Sequence, residues 1–215
     1  MSSPPPETDL AALSFEDALP QPAGAESGAY LLGEERDLVL AARRGEGAAA
    51  REIYDRCRDR VWAFLLYAIG DPLQAQDVLQ SVFLKAFRGL DGFRFQSSLS
   101  TWLLRIAHNE CRNHRRQNGV PLLPLEAIIG GRDEIDIHRG EAGPEEGWER
   151  RLVVRRALMR LPLKWREVVA LRYLEGLSYS EMSRVLGCAP GTVASRLNRA
   201  LAKLEEWLRP YRRLL

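Results

Sequence analysis

Three side chains that can ligate metal ions lie at three-residue intervals in one segment of the chain, at His108, Cys111 and His114. On an α-helix this spacing spreads them over about 120° of arc. A structural zinc ion normally takes four such ligands, and the sequence offers no obvious fourth. A metal-dependent enzyme or sensor that uses these three residues is nevertheless an alternative interpretation. Zinc analysis of the purified protein would test it.

Covalent catalysis has weaker support, because the chain lacks the residue patterns that such chemistry needs. The sequence contains neither a recognisable nucleophile–base pair nor a glycine-rich phosphate loop. Hydrolysis and group transfer are therefore not favoured. We predict that the protein is not an enzyme and takes no cofactor.

The chemistry that the sequence does favour is nucleic-acid binding by an aromatic loop. Residues 91–99 combine two aromatic residues with an arginine and small polar residues, namely Phe93, Phe95, Arg94, Gln96 and Ser98. Bases flipped out of a duplex stack on aromatic rings and hydrogen-bond to nearby polar groups. For Phe93 and Phe95, packing in the core between helices is an equally good alternative, since aromatic residues supply much of any core.

The loop leads into a helix predicted from about Ser100 to Gln117. One face is apolar, through Trp102, Leu103, Ile106 and Ala107. The other is polar and basic, through Arg105, His108, Asn109, Arg112, Arg115 and Arg116. Guanidinium groups on such a face can hold the phosphates of a nucleic-acid strand next to the loop.

Two further helices precede the loop. Apolar residues at three- and four-residue steps from Tyr54 to Ala68 predict the first, which Gly70 ends. Asp71 as N-cap and Pro72 at the first helical position predict the start of the second. Its buried stripe runs from Val78 to Phe87, which leaves four residues facing outward: Asp77, Gln80, Ser81 and Lys85.

The C-terminal part of the chain predicts a helix-turn-helix. Ser178 and Glu181 have the spacing of a capping box at the start of a short helix, and Gly187 suits the turn that follows. A last long helix begins near Pro190 and exposes Thr192, Ser195, Arg196, Asn198 and Arg199. Arg and Asn on a helix in the major groove can make paired hydrogen bonds to base edges.

The net charge of +2 conceals two basic blocks that alternate with two acidic stretches. Residues 1–35 carry a net charge of −7, residues 36–118 one of +5, residues 119–147 one of −5, and residues 148–215 one of +9. We therefore predict an all-α protein with two small helical domains, 36–118 and 148–215. A flexible acidic linker, 119–147, joins them, and a disordered acidic extension, 1–35, precedes them. Solvated faces would explain any single arginine-rich helix, but two tethered basic domains favour a nucleic-acid partner.

The remaining composition predicts a cytoplasmic protein. The longest apolar run, Val61 to Ile69, is far shorter than the roughly 20 residues of a membrane span. The N-terminus lacks the basic start and apolar core of a secretory signal. The three cysteines include no C-x-x-C pair, so a disulfide framework is not expected.

Two stretches of the chain resemble the sigma-70 family of bacterial RNA polymerase sigma factors, specifically the extracytoplasmic-function (ECF) group. "DVLQSVFLKAF" and "GFRFQSSLSTWLLRIAHNECRNHRR" are similar to parts of sigma region 2, within residues 36–118. "LPLKWREVVALRYLEGLSYSEMSRVLGCAPGTVASRLNRALAKL" resembles the region 4 helix-turn-helix, within residues 148–209. The resemblance implies a factor that binds core polymerase, directs it to promoters with −10 and −35 elements and promotes DNA melting.

The resemblance also implies roles for individual residues. The residues expected to contact the β′ clamp helices of polymerase are Asp77, Gln80 and Ser81. At Ser81 the family usually has an acidic residue. The residues expected to bind the −10 element are Phe93, Phe95, Gln96, Ser98, Asn109, Arg112, Arg115 and Arg116. The residues expected to bind the −35 element are Thr192, Ser195, Arg196, Asn198 and Arg199. Trp102 matches the family too, but its place on the apolar stripe favours core packing.

Further partners follow from the resemblance alone. Region 4 commonly also touches the β-flap of polymerase, to which no residue is assigned here, and ECF factors are commonly held inactive by an anti-sigma factor. Ala189 stands where a serine often caps the recognition helix, and Ala194 where a basic residue is common. The rival to this reading is a regulator that binds operators as a dimer and does not bind polymerase.

Overall fold

In the computed structural model, residues 30–117 and 148–211 are described, with side chains from 33 and from 153. Every regular element in these ranges is a helix. The N-terminal half contains α1 (Tyr30–Arg43), α2 (Gly47–Ile69), α3 (Pro72–Gly89), a 3₁₀ turn (Leu90–Gly92) and α4 (Leu99–Gln117). The C-terminal half contains α5 (Trp148–Arg160), α6 (Leu163–Tyr173), α7 (Tyr179–Leu186), α8 (Pro190–Leu208) and a final 3₁₀ turn (Arg209–Tyr211). None of the helices in the described ranges is long and apolar enough to cross a membrane.

Helix α1 begins inside the segment predicted to be a disordered extension. It packs against α2 through the fully buried Val39. The acidic run that suggested disorder includes Glu35, which instead hydrogen-bonds to the start of α4. The rest of the predicted extension, residues 1–29, and the predicted linker, residues 119–147, lie outside the described residues.

The predicted boundaries between α2 and α3 are confirmed. Gly70 ends α2 in a left-handed conformation, with a φ of 88°. Asp71 caps α3, because its carboxylate accepts a hydrogen bond from the Gln74 amide at 2.9 Å. Pro72 fills the first helical position, where its missing N–H costs nothing.

The helix-turn-helix is also confirmed. Ser178 and Glu181 form both hydrogen bonds of a capping box at the start of α7. Gly187 adopts the left-handed conformation, with a φ of 62°, that lets the chain turn into α8. Ala189, the N-cap of α8, makes no side-chain capping bond, so Pro190 alone marks this helix start.

The two halves pack against each other and share one continuous hydrophobic core. Helix α2 contacts α6, and α4 contacts α7. The composition predicted two tethered domains but did not predict this contact. It has a direct effect on the side chains of the candidate site.

Candidate nucleic-acid interface

The outward face of α3 carries the residues expected to meet polymerase. Asp77 and Gln80 are exposed and Ser81 is half-buried. The opposite face holds the helix in the core through Ala75, Val78, Leu79, Val82, Phe83 and Ala86. This arrangement confirms that the polar side chains point to solvent, whereas their role stays a prediction.

Two leucines on the same face were missed by the sequence reasoning. Leu73 is 76% exposed and Leu84 is 51% exposed. Together with Asp77 and Gln80 they recur at steps of four, three and four residues, which places all four on one stripe. The signal was present in the sequence, since both leucines fall outside the buried stripe of α3. Large apolar side chains left in water on one stripe are typical of a protein-binding surface.

In the aromatic loop, the two phenylalanines have different environments. Phe93 is 3% exposed, and its ring centroid lies 4.9 Å from that of Phe95 and 5.2 Å from that of Trp102. These contacts favour core packing as its role. Phe95 is only half-buried and has a φ of 55°, which is uncommon for a bulky residue. Phe95 is therefore the aromatic residue that the loop presents at the surface.

Two arginines from α1 hold this loop, and the sequence reasoning did not find them. The guanidinium carbons of Arg36 and Arg43 lie 5.2 Å and 5.1 Å from the centroid of the Phe95 ring. Arg43 also donates hydrogen bonds to the Leu90 carbonyl, at 3.1 Å, and to the Phe93 carbonyl. Arg43 is thus a brace between α1 and the loop. Its partners lie some fifty residues away in the chain, so no local pattern could reveal it.

The junction between the loop and α4 is built from polar contacts. The Thr101 amide donates to the Ser98 hydroxyl at 3.2 Å, and the two hydroxyl groups lie 2.8 Å apart. The Glu35 carboxylate accepts from the Leu99 amide at 2.7 Å. Burial raises the pKa of Glu35 above its ordinary value, although the Leu99 bond opposes this rise. Ser98 therefore has a structural hydrogen bond, whereas Arg94 and Gln96 are exposed polar groups of the loop.

The basic face of α4 is largely as predicted, with one correction. Asn109, Arg112 and Arg116 are exposed, and Arg115 is half-buried. His108, which was predicted to lie on this polar face, is only 6% exposed. It is buried because helix α6 of the C-terminal half covers it.

The three candidate metal ligands do not converge. His108 Nδ1 lies 2.7 Å from Glu167 Oε1, whereas His114 Nε2 lies 2.9 Å from Gln74 Oε1. Cys111 is fully buried, and burial strongly raises the pKa of its thiol, which disfavours the thiolate that a metal needs. Within residues 30–117 and 148–211, no group of three His, Cys, Asp or Glu side chains could hold a metal ion.

Helix α8, the second helix of the helix-turn-helix, presents its predicted face to solvent. Thr192, Ser195, Asn198 and Arg199 are exposed. The opposite face is anchored by Val193, Leu197, Ala200, Leu204 and Leu208. Arg196 is half-buried, and one of its guanidinium nitrogens lies 3.6 Å from Cys188 Sγ in the turn. Three neutral polar side chains and one arginine thus form an exposed face along α8.

Comparison with known proteins places both halves in one family. The family model for sigma-70 region 2 matches residues 53–120, and that for sigma-70 region 4 matches residues 151–204. The RNA polymerase sigma-H factor of Pseudomonas aeruginosa is 32% identical over 184 residues, covering 82% of this chain and 95% of the relative. The ECF sigma factor SigM of Mycobacterium tuberculosis is 38% identical over 175 residues, covering 81% of this chain and 84% of the relative.

A solved structure agrees with these matches. The sigma factor RpoE of Bartonella quintana, in complex with the anti-sigma factor NepR, superposes with a TM-score of 0.57 and 26% identity. The match covers 74% of this chain and 96% of that one. The chain described here belongs to the ECF group of the sigma-70 family of RNA polymerase sigma factors.

Proposed function

We propose that the chain binds core RNA polymerase, directs it to promoters with −10 and −35 elements, and helps to open the DNA. The observation that carries this proposal is the separation of three surfaces. Exposed side chains on α3, on the loop with α4, and on α8 lie on different elements, each anchored by its own buried face. A factor that grips an enzyme and two DNA elements needs such separate surfaces.

The α3 face is assigned to the clamp helices of the β′ subunit. Asp77, Gln80 and Ser81 supply polar contacts in its centre. Leu73 and Leu84 flank them, about 16 Å apart at 1.5 Å per helical residue, and supply apolar contacts at the two ends. Desolvating two exposed leucines favours association, and the polar residues between them fix the register.

The −10 element is assigned to the loop and α4. Phe95, Gln96 and Ser98 form the candidate base-capture surface, and Asn109, Arg112, Arg115 and Arg116 line the path of the strand. We assign Phe93 a supporting role beneath Phe95, since it is buried. Arg36 and Arg43 hold the loop in the conformation that presents Phe95.

The −35 element is assigned to α8. Ser195, Asn198 and Arg199 are the candidate base readers, with Thr192 and Arg196 closer to the turn. The formal charge of +9 in residues 148–215 supplies general attraction for the phosphate backbone. A good paired hydrogen bond to a base contributes about 1–3 kcal/mol of discrimination.

Regulation and location follow from family membership. We propose that an anti-sigma factor binds this chain, as NepR binds RpoE in the solved complex. We further propose that the factor acts in the cytoplasm with polymerase and has no catalytic activity of its own, so that polymerase performs the chemistry. The two domains predicted at residues 36–118 and 148–215 are part of this proposal, with the first extended to Tyr30, where α1 begins.

The direct test is binding of the full chain to bacterial core RNA polymerase, compared with an Asp77→Ala/Gln80→Ala double variant. Wild type should bind tightly, and the double variant should bind at least about tenfold more weakly, as expected from loss of two interface contacts. Asp55→Ala, which removes an exposed acid on α2, is the matched control and should bind like wild type. Binding to promoter DNA without any binding to polymerase would instead indicate a stand-alone regulator.

A further inference from the structure

A groove of about 510 Å³ lies where the aromatic loop and the start of α4 face α7 of the helix-turn-helix. Its volume falls within the range of about 300–1,000 Å³ that is usual for small-molecule sites. Arg184 of α7 links the two walls, since it donates a hydrogen bond to the Gln96 carbonyl at 3.4 Å. Both halves of the chain therefore contribute to one concave space of ligand size.

The groove is strongly basic. Three exposed arginines line it, Arg94, Arg105 and Arg184, whereas no aspartate or glutamate of the described ranges does so. Arg94 and Arg105 form no ion pair or side-chain hydrogen bond with the residues that the structure describes. Arg184 hydrogen-bonds only to neutral groups, the Gln96 carbonyl and the Ser180 hydroxyl. Three guanidinium groups without a carboxylate partner favour an anionic ligand with several negative oxygens.

Other charges near the groove do not reverse its sign. The start of α4 and the end of α7 both border it, at Thr101 and Gly187, so their helix dipoles have opposite signs and offset each other. Glu181 lies one turn before Arg184, but its carboxylate accepts hydrogen bonds from Ser178 in the capping box. The arginines therefore determine the electrostatic potential inside the groove.

One wall of the groove is aromatic. Phe93 and Trp102 both line it, with ring centroids 5.2 Å apart. Phe93 is buried, whereas Trp102 is half-buried and keeps part of its surface exposed. Every nucleobase has a π-face that stacks on aromatic rings. An aromatic wall beside guanidinium groups therefore suits a ligand with a flat ring at one end and phosphates at the other.

We propose that this groove binds a free nucleotide, namely a nucleoside that carries two or three phosphates. The base packs against Trp102, and the phosphates pair with Arg94, Arg105 and Arg184. The exposed side chain of Gln96 supplies hydrogen bonds to the base edge. Because the ligand is a small molecule held by residues of both halves, the site requires neither polymerase nor promoter DNA.

The test is titration of the full chain with GTP and ATP by isothermal titration calorimetry, without polymerase or DNA. We expect a saturable complex with one nucleotide per chain. Inorganic triphosphate and guanosine each keep one end of the ligand. Each should bind at least about tenfold more weakly than GTP, because triphosphate loses the stacking of the base and guanosine loses the charge-assisted hydrogen bonds.

Two variants locate the ligand. Arg105→Ala and Arg184→Ala each remove one charge from opposite walls, and each should weaken GTP binding about tenfold. Arg88→Ala is the matched control, since it removes an exposed arginine on α3 that does not line the groove. It should bind GTP like wild type. Circular dichroism with unchanged helix content shows that the variants fold.

Hydrogen–deuterium exchange of the wild-type chain locates the ligand without any substitution. GTP should slow amide exchange in the loop, residues 92–98, and at the end of α7, residues 183–187, because the ligand contacts both walls. Protection confined to other segments would overturn the site, even if calorimetry showed binding.

The remaining outcomes are equally decisive. Absence of binding by GTP and ATP at millimolar concentration would overturn the proposal. Equal weakening by Arg88→Ala and by the two groove variants would also overturn it, since general positive charge would then explain binding. Triphosphate that binds as tightly as GTP would rule out a nucleotide as the specific ligand. Failure of the chain to bind polymerase would remove only the proposed function, because the nucleotide titration is independent of it.

Discussion

The two DNA-binding regions of this chain are built in different ways. In the C-terminal half, α8 is positioned by signals a few residues away: the capping box of Ser178 and Glu181, the left-handed Gly187 and the first-turn Pro190. In the N-terminal half, the aromatic loop is positioned by side chains from α1, some fifty residues earlier. The surface proposed for the −35 element is thus preformed by local structure, whereas the surface proposed for the −10 element depends on tertiary contacts.

The largest effect is expected on promoter opening, from Arg43→Met, which removes the brace between α1 and the aromatic loop. This variant removes two hydrogen bonds from a charged group and one cation–π contact, together about 3 kcal/mol of loop stabilisation. Promoter opening by the reconstituted holoenzyme, followed by permanganate reactivity of unpaired thymines, should fall at least about thirtyfold, since 1.4 kcal/mol corresponds to about tenfold. Binding of the factor to a duplex that carries only a −35 element should not change.

The neighbouring Arg44→Met provides the control for that experiment. Arg44 is exposed and pairs with Glu46, away from the loop. Opening by Arg44→Met should match wild type. Equal loss in both variants would mean that general positive charge on α1, not the brace, supports melting.

A smaller effect is expected at the preformed surface, from Arg199→Ala. Loss of one base or phosphate contact should weaken binding to a −35 duplex by about 1–3 kcal/mol. Opening of a template that is already forked at the −10 element should be unaffected. Lys203→Ala, on the same helix and paired with Glu206, is the control for a general loss of charge. A defect on the forked template would show that the two surfaces are not independent.

The contact between the halves should depend on pH through Glu175, whose buried side chain accepts a hydrogen bond from Arg60 of α2 at 2.9 Å. Burial raises the pKa of this carboxyl above its ordinary value, more than Arg60 lowers it. A raised pKa while the two halves are packed together means that this packed form binds the proton more tightly than the separated form. The contact between the halves is therefore favoured below the ordinary pKa of a carboxyl group and loses that stabilisation as pH rises through the raised value.

Glu175→Gln should abolish this part of the pH dependence, because a neutral side chain needs no proton. The radius of gyration of wild type, measured by scattering between pH 4.5 and 7.5, should increase with pH more than that of the variant, within roughly that range. Equal slopes would mean that another group controls the contact. The expected change in the radius of gyration with pH is modest, because the charge of Arg60 offsets part of the cost of burying the Glu175 carboxylate.

The smallest effect is expected from Ala189→Ser, which adds the missing N-cap of α8. A serine cap typically contributes about 1 kcal/mol, so thermal unfolding should shift upward by a few degrees. The −35 affinity should change little, because α8 is already well anchored. A large gain in −35 affinity would instead show that local structure does not preform the start of α8.

The sequence predicted those features that depend on neighbouring residues. The start of α3 at Asp71, the turn at Gly187 and the exposed face of α8 all follow from caps, turns and periodicity, and the structure confirms them. The same reasoning predicted the outward face of α3 but passed over Leu73 and Leu84, although their spacing was visible. Membership of the sigma family was also accessible, since the motifs of both halves occur in the expected order.

The features that the sequence did not predict depend on distant residues. His108 lies on the polar side of α4 by periodicity, yet Glu167 from the other half buries it. Helix α1 begins within an acidic stretch, because Val39 and Glu35 find partners on α2 and α4. Nothing near Arg43 in the chain indicates the loop that it braces. Tertiary packing thus determines the surface proposed for the −10 element, and local patterns could not reveal it.

The most direct test of the central claim is transcription of fragmented genomic DNA by core polymerase with and without this factor, with sequencing of the 5′ ends of the transcripts. The account predicts a set of start sites that require the factor and share two upstream elements, near −10 and −35. These starts should be lost with the Asp77→Ala/Gln80→Ala variant and retained with Asp55→Ala. Starts identical to those of core polymerase alone would contradict the proposal that this chain selects promoters.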